Sequence, residues 1–198
     1  MNDLPGFLRS ELATRPSVIR AEWDTRPAAV LIPLYQVDGI WHVLFTQRTH
    51  LVETHKGQVS FPGGQVDSED ADRVATALRE AEEEIGLRRE DVTVLSQLDE
   101  LLTVTQYRIT PVVGTFPWPY DFELSTAELS AVFGVPLAWL ADPRNLEIQY
   151  REPLMTGPKV PVYYLHYDTW TIWGATARML LNLLAVIRPV LESATGGE

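Results

Sequence analysis

Cysteine is absent from the 198 residues, and basic side chains are scarce, with 16 Lys and Arg against 27 Asp and Glu. Without cysteine, the chain has no disulfide, no thiolate metal site and no cysteine nucleophile. The net charge of −11 argues against a nucleic-acid groove, because such grooves need clustered Lys and Arg to neutralise phosphates. Small phosphate substrates stay compatible, since divalent cations can lie between carboxylates and phosphate oxygens.

Long hydrophobic runs are also missing. The longest apolar stretch, residues 179–191, is interrupted by Asn182, Arg188 and Pro189, and it is shorter than the roughly 20 residues that cross a bilayer. The first fifteen residues lack a basic segment followed by an apolar run, so no secretory signal is visible. We therefore expect a cytoplasmic protein without a membrane partner.

The composition fits one folded domain. Hydrophobic residues make up 45% of the chain, which is enough for a sizeable core. We expect a single domain over residues 1–198, with an N-terminal extension at 1–27 and a C-terminal helix at 170–192. No internal repeat or flexible linker divides it.

Strands and helices interleave along the chain. β-branched and aromatic residues predict strands at 28–36, 40–48, 92–98, 101–105 and 109–116. Helical spacing of apolar residues predicts helices at 4–13, 70–85 and 124–133, and a further one within 170–191. This alternation predicts an α/β fold, with a mixed sheet flanked by helices.

The helix over 70–85 is the clearest element. Its apolar residues recur at helical spacing; they are Val74, Ala77, Leu78, Ala81 and Ile85. Asp67 or Ser68 can cap its start, and Gly86 suits the left-handed residue that ends a helix.

One flank of this helix is acidic. Glu80 and Glu84 lie one turn apart, Glu83 lies beside them, and Glu82 falls on the other flank. Crowded carboxylates repel one another, and Mg²⁺ or Mn²⁺ would relieve that repulsion through oxygen ligands. Taken alone, such a run more often marks a solvated surface.

The surrounding residues favour a site. Arg79 can pair with Glu83 one turn later and hold that carboxylate in place. Just upstream, Gly63 and Gly64 form a loop whose backbone can approach an ion or a phosphate closely.

The ordered pattern resembles the signature of the Nudix hydrolases, which runs from a glycine through an acidic residue to Arg-Glu-x-x-Glu-Glu-x-Gly and an apolar residue. Residues 79–87 match its second half at every defined position. In the first half, the acidic position falls on Asp70, one residue further from Arg79 than in the general signature. The resemblance implies an α/β/α sandwich with a mixed sheet, in which residues 61–87 form the signature region.

A narrower resemblance points to the coenzyme A pyrophosphatases. It rests on residues 44–49 and 55–64, which look like the leader motif of that group, on the longer acidic segment before Arg79, and on residues 172–177. One position departs from the group, because Glu53 stands where an arginine is usual.

The resemblance implies roles for individual residues. Glu80, Glu83 and Glu84, with the carbonyl of Gly64, would bind Mg²⁺ or Mn²⁺. Catalysis would rest on Glu83, Glu84 and Arg79. Arg48, His55 and Gln58 would contact the substrate. The general base stays open among Glu83, Asp121, Glu123 and Glu128. The expected partner is a nucleotide such as coenzyme A, and the resemblance also favours a homodimer.

Three alternatives remain. The first is a Nudix hydrolase for ADP-ribose, a dinucleotide or a nucleoside triphosphate, since Glu53 counts against coenzyme A. The second is a nucleotide-binding regulator that has the fold without turnover. The third is a structural or interaction protein whose acidic helix is merely solvated.

Overall fold

A computed structural model describes residues 3–14, 25–49, 57–152 and 158–195. The helices are α1 (Leu4–Thr14), α2 (Arg73–Ile85), α3 (Leu137–Ala141) and α4 (Gly174–Thr195). The strands are β1 (Arg26–Val37), β2 (Ile40–Arg48), β3 (Val59–Ser60), β4 (Gly63–Gln65), β5 (Thr93–Gln97), β6 (Leu101–Leu102), β7 (Tyr107–Thr115), β8 (Leu129–Pro136), β9 (Leu146–Arg151), β10 (Val160–Tyr167) and β11 (Trp170–Trp173).

Within the described ranges, the main sheet has eight strands and is mixed, as the sequence predicts. Strand β1 lies at its centre, parallel to β7 on one side and antiparallel to β2 and β4 on the other. The hairpin predicted for residues 28–48 is present, and Asp38 and Gly39 form its turn with positive φ angles. This arrangement places the short strand β4 beside the N-terminal half of β1.

The two faces of the sheet bury different helices. Side chains alternate along β1, so Ala29 and Leu31 face one way while Val30 and Ile32 face the other. Helix α2 packs on the first face, and α1 and α4 pack on the second. The result is the predicted α/β/α arrangement.

The structure corrects two sequence predictions. Residues 124–133 are not a helix, because this segment is a loop followed by strand β8, which pairs with β2. The C-terminal helix predicted for 170–192 begins only at Gly174, since Trp170–Trp173 is strand β11. Together, β11, β10 and β9 form a separate three-stranded sheet whose other two strands the sequence did not predict.

Helix α4 is long and apolar enough to cross a membrane by length and composition alone. The burial of its side chains indicates its role in this protein. Leu180, Leu183 and Ile187 are completely buried in the core beneath the main sheet. Packing of this kind is that of a core helix.

Candidate active site

The acidic helix α2 is fixed at both ends. Asp72, and not Asp67 or Ser68, caps its start, because its carboxylate accepts a 2.8 Å hydrogen bond from the N–H of Ala75. Gly86 ends the helix with a φ of +69°, as predicted. The following loop closes over this end, where the N–H of Ser125 donates to the carbonyl of Glu84 at 2.9 Å.

Arg79 forms hydrogen bonds with several residues around the N-terminal part of the site. Its Nε and Nη2 donate to the two carboxylate oxygens of Asp70, at 3.0 and 2.9 Å. Its Nη2 also donates to the carbonyl of Gln65, and its Nη1 donates to Glu80 at 2.8 Å and to Glu83 at 3.1 Å. Hydrogen bonds from this guanidinium hold the pKa of Asp70 well below its usual range. The predicted Arg79–Glu83 pair is present, and Arg79 positions three carboxylates at once.

Glu84 is the buried carboxylate of the site, with 5% of its surface exposed. Its Oε2 accepts a hydrogen bond from the N–H of Gly63 at 3.2 Å, and its Oε1 lies 3.9 Å from Nη1 of Arg48. Burial raises the pKa of Glu84 to about 8, with smaller contributions from the negative charges of Glu80 and Glu128. The Gly63 hydrogen bond and the Arg48 charge only partly oppose this rise.

Glu80 lies against the glycine loop. Its side chain is 17% exposed. A Cβ at residue 64 would come 2.4 Å from Oε1 of Glu80, so only glycine fits there with the present geometry. Burial raises the pKa of Glu80 despite the hydrogen bond from Arg79. The structure therefore brings Glu80, Glu84 and the Gly63–Gly64 backbone together.

Glu83 is placed differently. Its side chain is 58% exposed and is held by Arg79. Over the described ranges, no three acidic or histidine side chains are gathered in a geometry that could hold a metal ion. The protein side chains converging on the site are thus two carboxylates, and the predicted metal role of Glu83 stays a prediction.

The end of strand β2 supplies a cation to the site. A β-bulge interrupts its pairing with β8 between Gln47 and Arg48, and such a bulge redirects the following side chain. Arg48 is 25% exposed, and its Nε is buried without a hydrogen-bond partner in the described part of the chain. The carbonyl of Gln58 accepts a hydrogen bond from the N–H of Arg48. His55 lies outside the described residues.

The candidates for the general base are separated by position. The charge of Glu128 acts on both Glu80 and Glu84, and the carbonyl of Glu128 accepts a hydrogen bond from the N–H of Thr49. Asp121 and Glu123 instead line a cavity of about 630 Å³ together with Glu82. The lining of that cavity includes neither Glu80 nor Glu84.

The aromatic residues of the 117–122 loop serve packing. Trp118 stacks on Tyr35 with ring centroids 4.5 Å apart. Tyr120 packs against Phe122 and donates its hydroxyl proton to Asp91 at 2.8 Å. These contacts close one edge of the core beside the end of α2.

Three features of the site were not predicted from the sequence. The spacing left the role of Asp70 undecided, whereas the structure pairs it with Arg79. Residues 63–64 suggested a close backbone approach without showing that the N–H of Gly63 meets Glu84. Thr176 of α4 donates a buried 3.1 Å hydrogen bond to the carbonyl of Val59, and the sequence, although both residues lie in segments that resemble the same subfamily, does not show that they meet.

The donor set fits a hard divalent cation. Burial makes ionisation of Glu80 and Glu84 costly, and their charges repel each other, so a cation would relieve both penalties. Mg²⁺ characteristically binds through one or two carboxylates and completes its shell with water and substrate phosphates. The two carboxylates of Glu80 and Glu84 are consistent with this mode of Mg²⁺ binding.

Comparisons with known proteins agree on one family. A NUDIX domain model matches residues 25–153. The chain is 38% identical, over 185 residues, to an uncharacterized Nudix hydrolase named NudL of Escherichia coli strain K12, covering 91% of this chain and 92% of that protein. It matches NudL of Shigella boydii serotype 18 to the same extent.

Solved structures share the fold. A MutT/nudix family protein from Enterococcus faecalis superposes with a TM-score of 0.52 at 13% identity, covering 96% of this chain and 70% of that one. The Nudix hydrolase RenU from M. smegmatis gives a TM-score of 0.51 at 24% identity, covering 61% of this chain and 76% of that one.

Proposed function

Because this chain belongs to the Nudix family of hydrolases, we propose that it cleaves the pyrophosphate bond of coenzyme A with the help of Mg²⁺ or Mn²⁺. The products are 3′,5′-ADP and 4′-phosphopantetheine. The observation that carries the proposal is the meeting of Glu84, Glu80 and the Gly63 N–H beside the cation of Arg48.

The choice of substrate rests on the leader segment. The residues that resemble coenzyme A pyrophosphatases include 57–64, which in the structure lead directly into the site. Phe61 of this segment is buried in the core, and Gly63 then presents its N–H to Glu84. The part of the chain that carries the substrate resemblance is therefore also the part that forms the wall of the site.

Glu80 and Glu84 would hold the cation, and the carbonyl of Gly64 is a further candidate ligand. When bound, a divalent ion neutralises diphosphate oxygens and lowers the pKa of a coordinated water. Family members use divalent cations in general, and Mg²⁺ or Mn²⁺ is our assignment for this chain.

The other residues bind, orient and move a proton. Arg79 positions Glu80 and Glu83. Arg48, whose Nη1 lies 3.9 Å from Glu84, would bind diphosphate oxygens, an interaction that Arg makes well. A water attacks phosphorus, the P–O bond of the anhydride breaks, and the water proton passes to a carboxylate. We assign that carboxylate to Glu128 before Asp121 or Glu123, because the charge of Glu128 reaches the site.

A substrate panel tests this assignment. The purified protein is incubated with Mg²⁺ and, separately, coenzyme A, ADP-ribose, a dinucleotide and a nucleoside triphosphate. We expect 3′,5′-ADP to be released from coenzyme A at the highest kcat/KM. Rapid turnover of ADP-ribose without 3′,5′-ADP from coenzyme A would overturn the proposed substrate while leaving the hydrolase site intact.

A further inference from the structure

The end of strand β2 carries two neighbouring side chains on opposite faces of the main sheet. Phe45 belongs to the core cluster on the α4 side, and Leu44 belongs to the cluster on the α2 side. Because side chains alternate along a strand, Arg48 faces the α2 side, where it approaches Glu84, and Gln47 faces the α4 side. Gln47 therefore lies on the face of the sheet opposite to the carboxylates of the site.

Strand β8 has one residue more than β2 at this point. Gln47 pairs with Ala131 and Arg48 pairs with Leu129, so Ser130 is the extra residue of the β-bulge. The hydroxyl of Ser130 donates to Gln47, with its Oγ 3.0 Å from the side-chain Oε1 and 3.3 Å from the main-chain carbonyl oxygen. An extra residue interrupts the pairing of two strands, and this contact joins β8 to β2 where their pairing is interrupted.

The other end of the Gln47 amide binds the segment that leads to the glycine loop. Its Nε2 donates to the carbonyl oxygen of Gly57 at 3.2 Å. Gly57 has a φ of +66°, a conformation that favours glycine, and it precedes Gln58. The carbonyl oxygen of Gln58 accepts a 3.0 Å hydrogen bond from the N–H of Arg48. The Gln47 side chain thus holds the residue next to the main-chain partner of Arg48.

The two partners of Gln47 require an amide. The carbonyl oxygen of Gly57 can only accept a hydrogen bond, so it needs the Nε2 donor, while the hydroxyl of Ser130 can donate to Oε1. A carboxylate at residue 47 would set one of its oxygens against the oxygen of Gly57. One glutamine side chain therefore links β8, β2 and the segment that begins at Gly57.

The side chain of Arg48 makes few contacts that would fix its orientation. Its Nη1 lies 3.9 Å from Oε1 of Glu84, which is too far for a hydrogen bond. Its buried Nε has no hydrogen-bond partner among the described residues. A guanidinium binds phosphate best through two parallel N–H bonds, and such binding depends on its orientation. The position of the Arg48 main chain therefore matters for the way its side chain meets a diphosphate.

We propose that Gln47 is a positioning residue that orients Arg48 toward the substrate diphosphate. This inference rests on the proposed function, in which Arg48 binds diphosphate oxygens. Gln47 holds the bulge at Ser130 on one side of Arg48 and the chain at Gly57 on the other. Without these two hydrogen bonds, the end of β2 can adopt several positions, and binding of the diphosphate becomes weaker.

Binding of α,β-methylene-ADP tests this role, because the analogue carries a nucleoside diphosphate and does not require coenzyme A to be the substrate. Gln47→Met keeps the length of the side chain and removes both hydrogen-bonding groups. In isothermal titration calorimetry with Mg²⁺, it should bind the analogue about tenfold more weakly than the wild type. Gln149→Met makes the same change at an exposed position of β9, and it should bind the analogue as the wild type does.

An Arg48→Lys background shows whether Gln47 acts through Arg48. Lysine binds phosphate as a point charge and depends less on its orientation than the planar guanidinium does. Adding Gln47→Met to Arg48→Lys should therefore weaken binding by less than about twofold. A purely structural role of Gln47 would weaken binding by the same factor in both backgrounds.

The rise in Tm caused by Mg²⁺ checks that the variants are folded. Strand β3 pairs with β2, and Val59 accepts its hydrogen bond from Thr176, between Gly57 and the glycine loop. Gln47→Met should therefore gain as much from Mg²⁺ as the wild type. Wild-type affinity of Gln47→Met for the analogue, or an equal loss in both backgrounds, would overturn the positioning role and leave the site intact. A wild type that does not bind the analogue would overturn the diphosphate site together with this inference.

Discussion

Arg79 and Asp70 form a two-pronged ion pair, with Nε and Nη2 of the arginine donating to both carboxylate oxygens of the aspartate. Asp70 precedes the helix that carries Arg79, and its side chain is only 5% exposed. The pair therefore fixes the segment before α2 to the helix face that holds Glu80. Asp70, whose role could not be decided from the sequence, therefore stabilises the position of the site.

Removing the Asp70–Arg79 ion pair should destabilise the protein in a pH-dependent way. Asp70→Asn should lower the free energy of unfolding at pH 7 by about 2 kcal/mol, since it removes charge-assisted hydrogen bonds. The pKa of Asp70 is lowered in the folded protein, so its contribution is fully present well above the unfolded value of 3.8 and is lost as pH falls below it. Urea unfolding of both proteins at pH 7 and pH 3 measures the difference.

The ion pair of Asp142 with the exposed side chain of Arg144 is the control. Arg144 is 86% exposed, so solvent screens the pair and Asp142→Asn should lower the free energy of unfolding at pH 7 much less than Asp70→Asn does. An Asp70→Asn deficit as large at pH 3 as at pH 7 would contradict the assigned role of the ion pair.

Glu84 should be essential for turnover. We expect Glu84→Gln to lower kcat at least 100-fold, on the order of 3 kcal/mol of transition-state stabilisation. Glu82→Gln is the matched control on the opposite flank of the same helix, where Glu82 pairs with Arg89 at 2.8 Å, and it should keep wild-type turnover. Unchanged turnover in a folded Glu84→Gln variant would remove Glu84 from the mechanism, whereas a wild type that binds nucleotide without turnover would favour the nucleotide-binding regulator.

The general base can be identified by its effect on the pH profile. Glu128→Gln should lower kcat by about 100-fold or more and remove the acidic limb of the kcat profile, because a base must be ionised to accept a proton. Asp121→Asn and Glu123→Gln should leave the profile unchanged, since both line the separate cavity. If Glu83→Gln removes the acidic limb and Glu128→Gln does not, the role belongs to Glu83.

Thr176 should support the site from a distant element. Thr176→Val leaves the buried carbonyl of Val59 without this donor, which should cost about 1–3 kcal/mol. Because Val59 lies four residues before Gly63, the half-saturating Mg²⁺ concentration should also rise. Thr176→Ser keeps the hydroxyl, so its half-saturating Mg²⁺ concentration should equal that of the wild type. A Thr176→Val variant with the wild-type Mg²⁺ requirement would reduce this bond to a stability role.

The sequence predicts the helix that carries the site better than its surroundings. The apolar stripe from Val74 to Ile85 and the glycine at 86 are local signals, and they place α2 within three residues of its observed start. Its cap was misplaced because Asp67 and Asp70 form hydrogen bonds within their own turn, which leaves Asp72 as the cap. Local side-chain competition of this kind does not show in periodicity.

Properties that depend on distant contacts could not be predicted. Leu129 and Val132 have helical spacing, yet pairing with β2 makes their segment a strand, because tertiary context overrides propensity. The burial of Glu84 depends on how the 61–65 loop folds over it. The same three glutamates could belong to a solvated helix, and only the fold distinguishes Glu84 at 5% exposure from Glu83, whose side chain is 58% exposed.

Mg²⁺-dependent thermal stability tests the proposed cation site at Glu80 and Glu84 most directly. Without metal, the raised pKa of Glu84 means that stability falls as pH rises from 4.5 to about 8. At pH 8.5, Mg²⁺ at 100 times its Kd should add about 2.7 kcal/mol, which raises Tm by roughly 5–10 °C for a chain of this size.

The Tm values of two glutamate variants, with and without Mg²⁺, show whether the ion binds at Glu84. Glu84→Gln should have a higher Tm than the wild type in EDTA at pH 8.5 and should gain nothing from Mg²⁺, while Glu82→Gln should gain as much as the wild type. Equal Mg²⁺ stabilisation of the wild type and Glu84→Gln, or none in either, would contradict a cation site at Glu84.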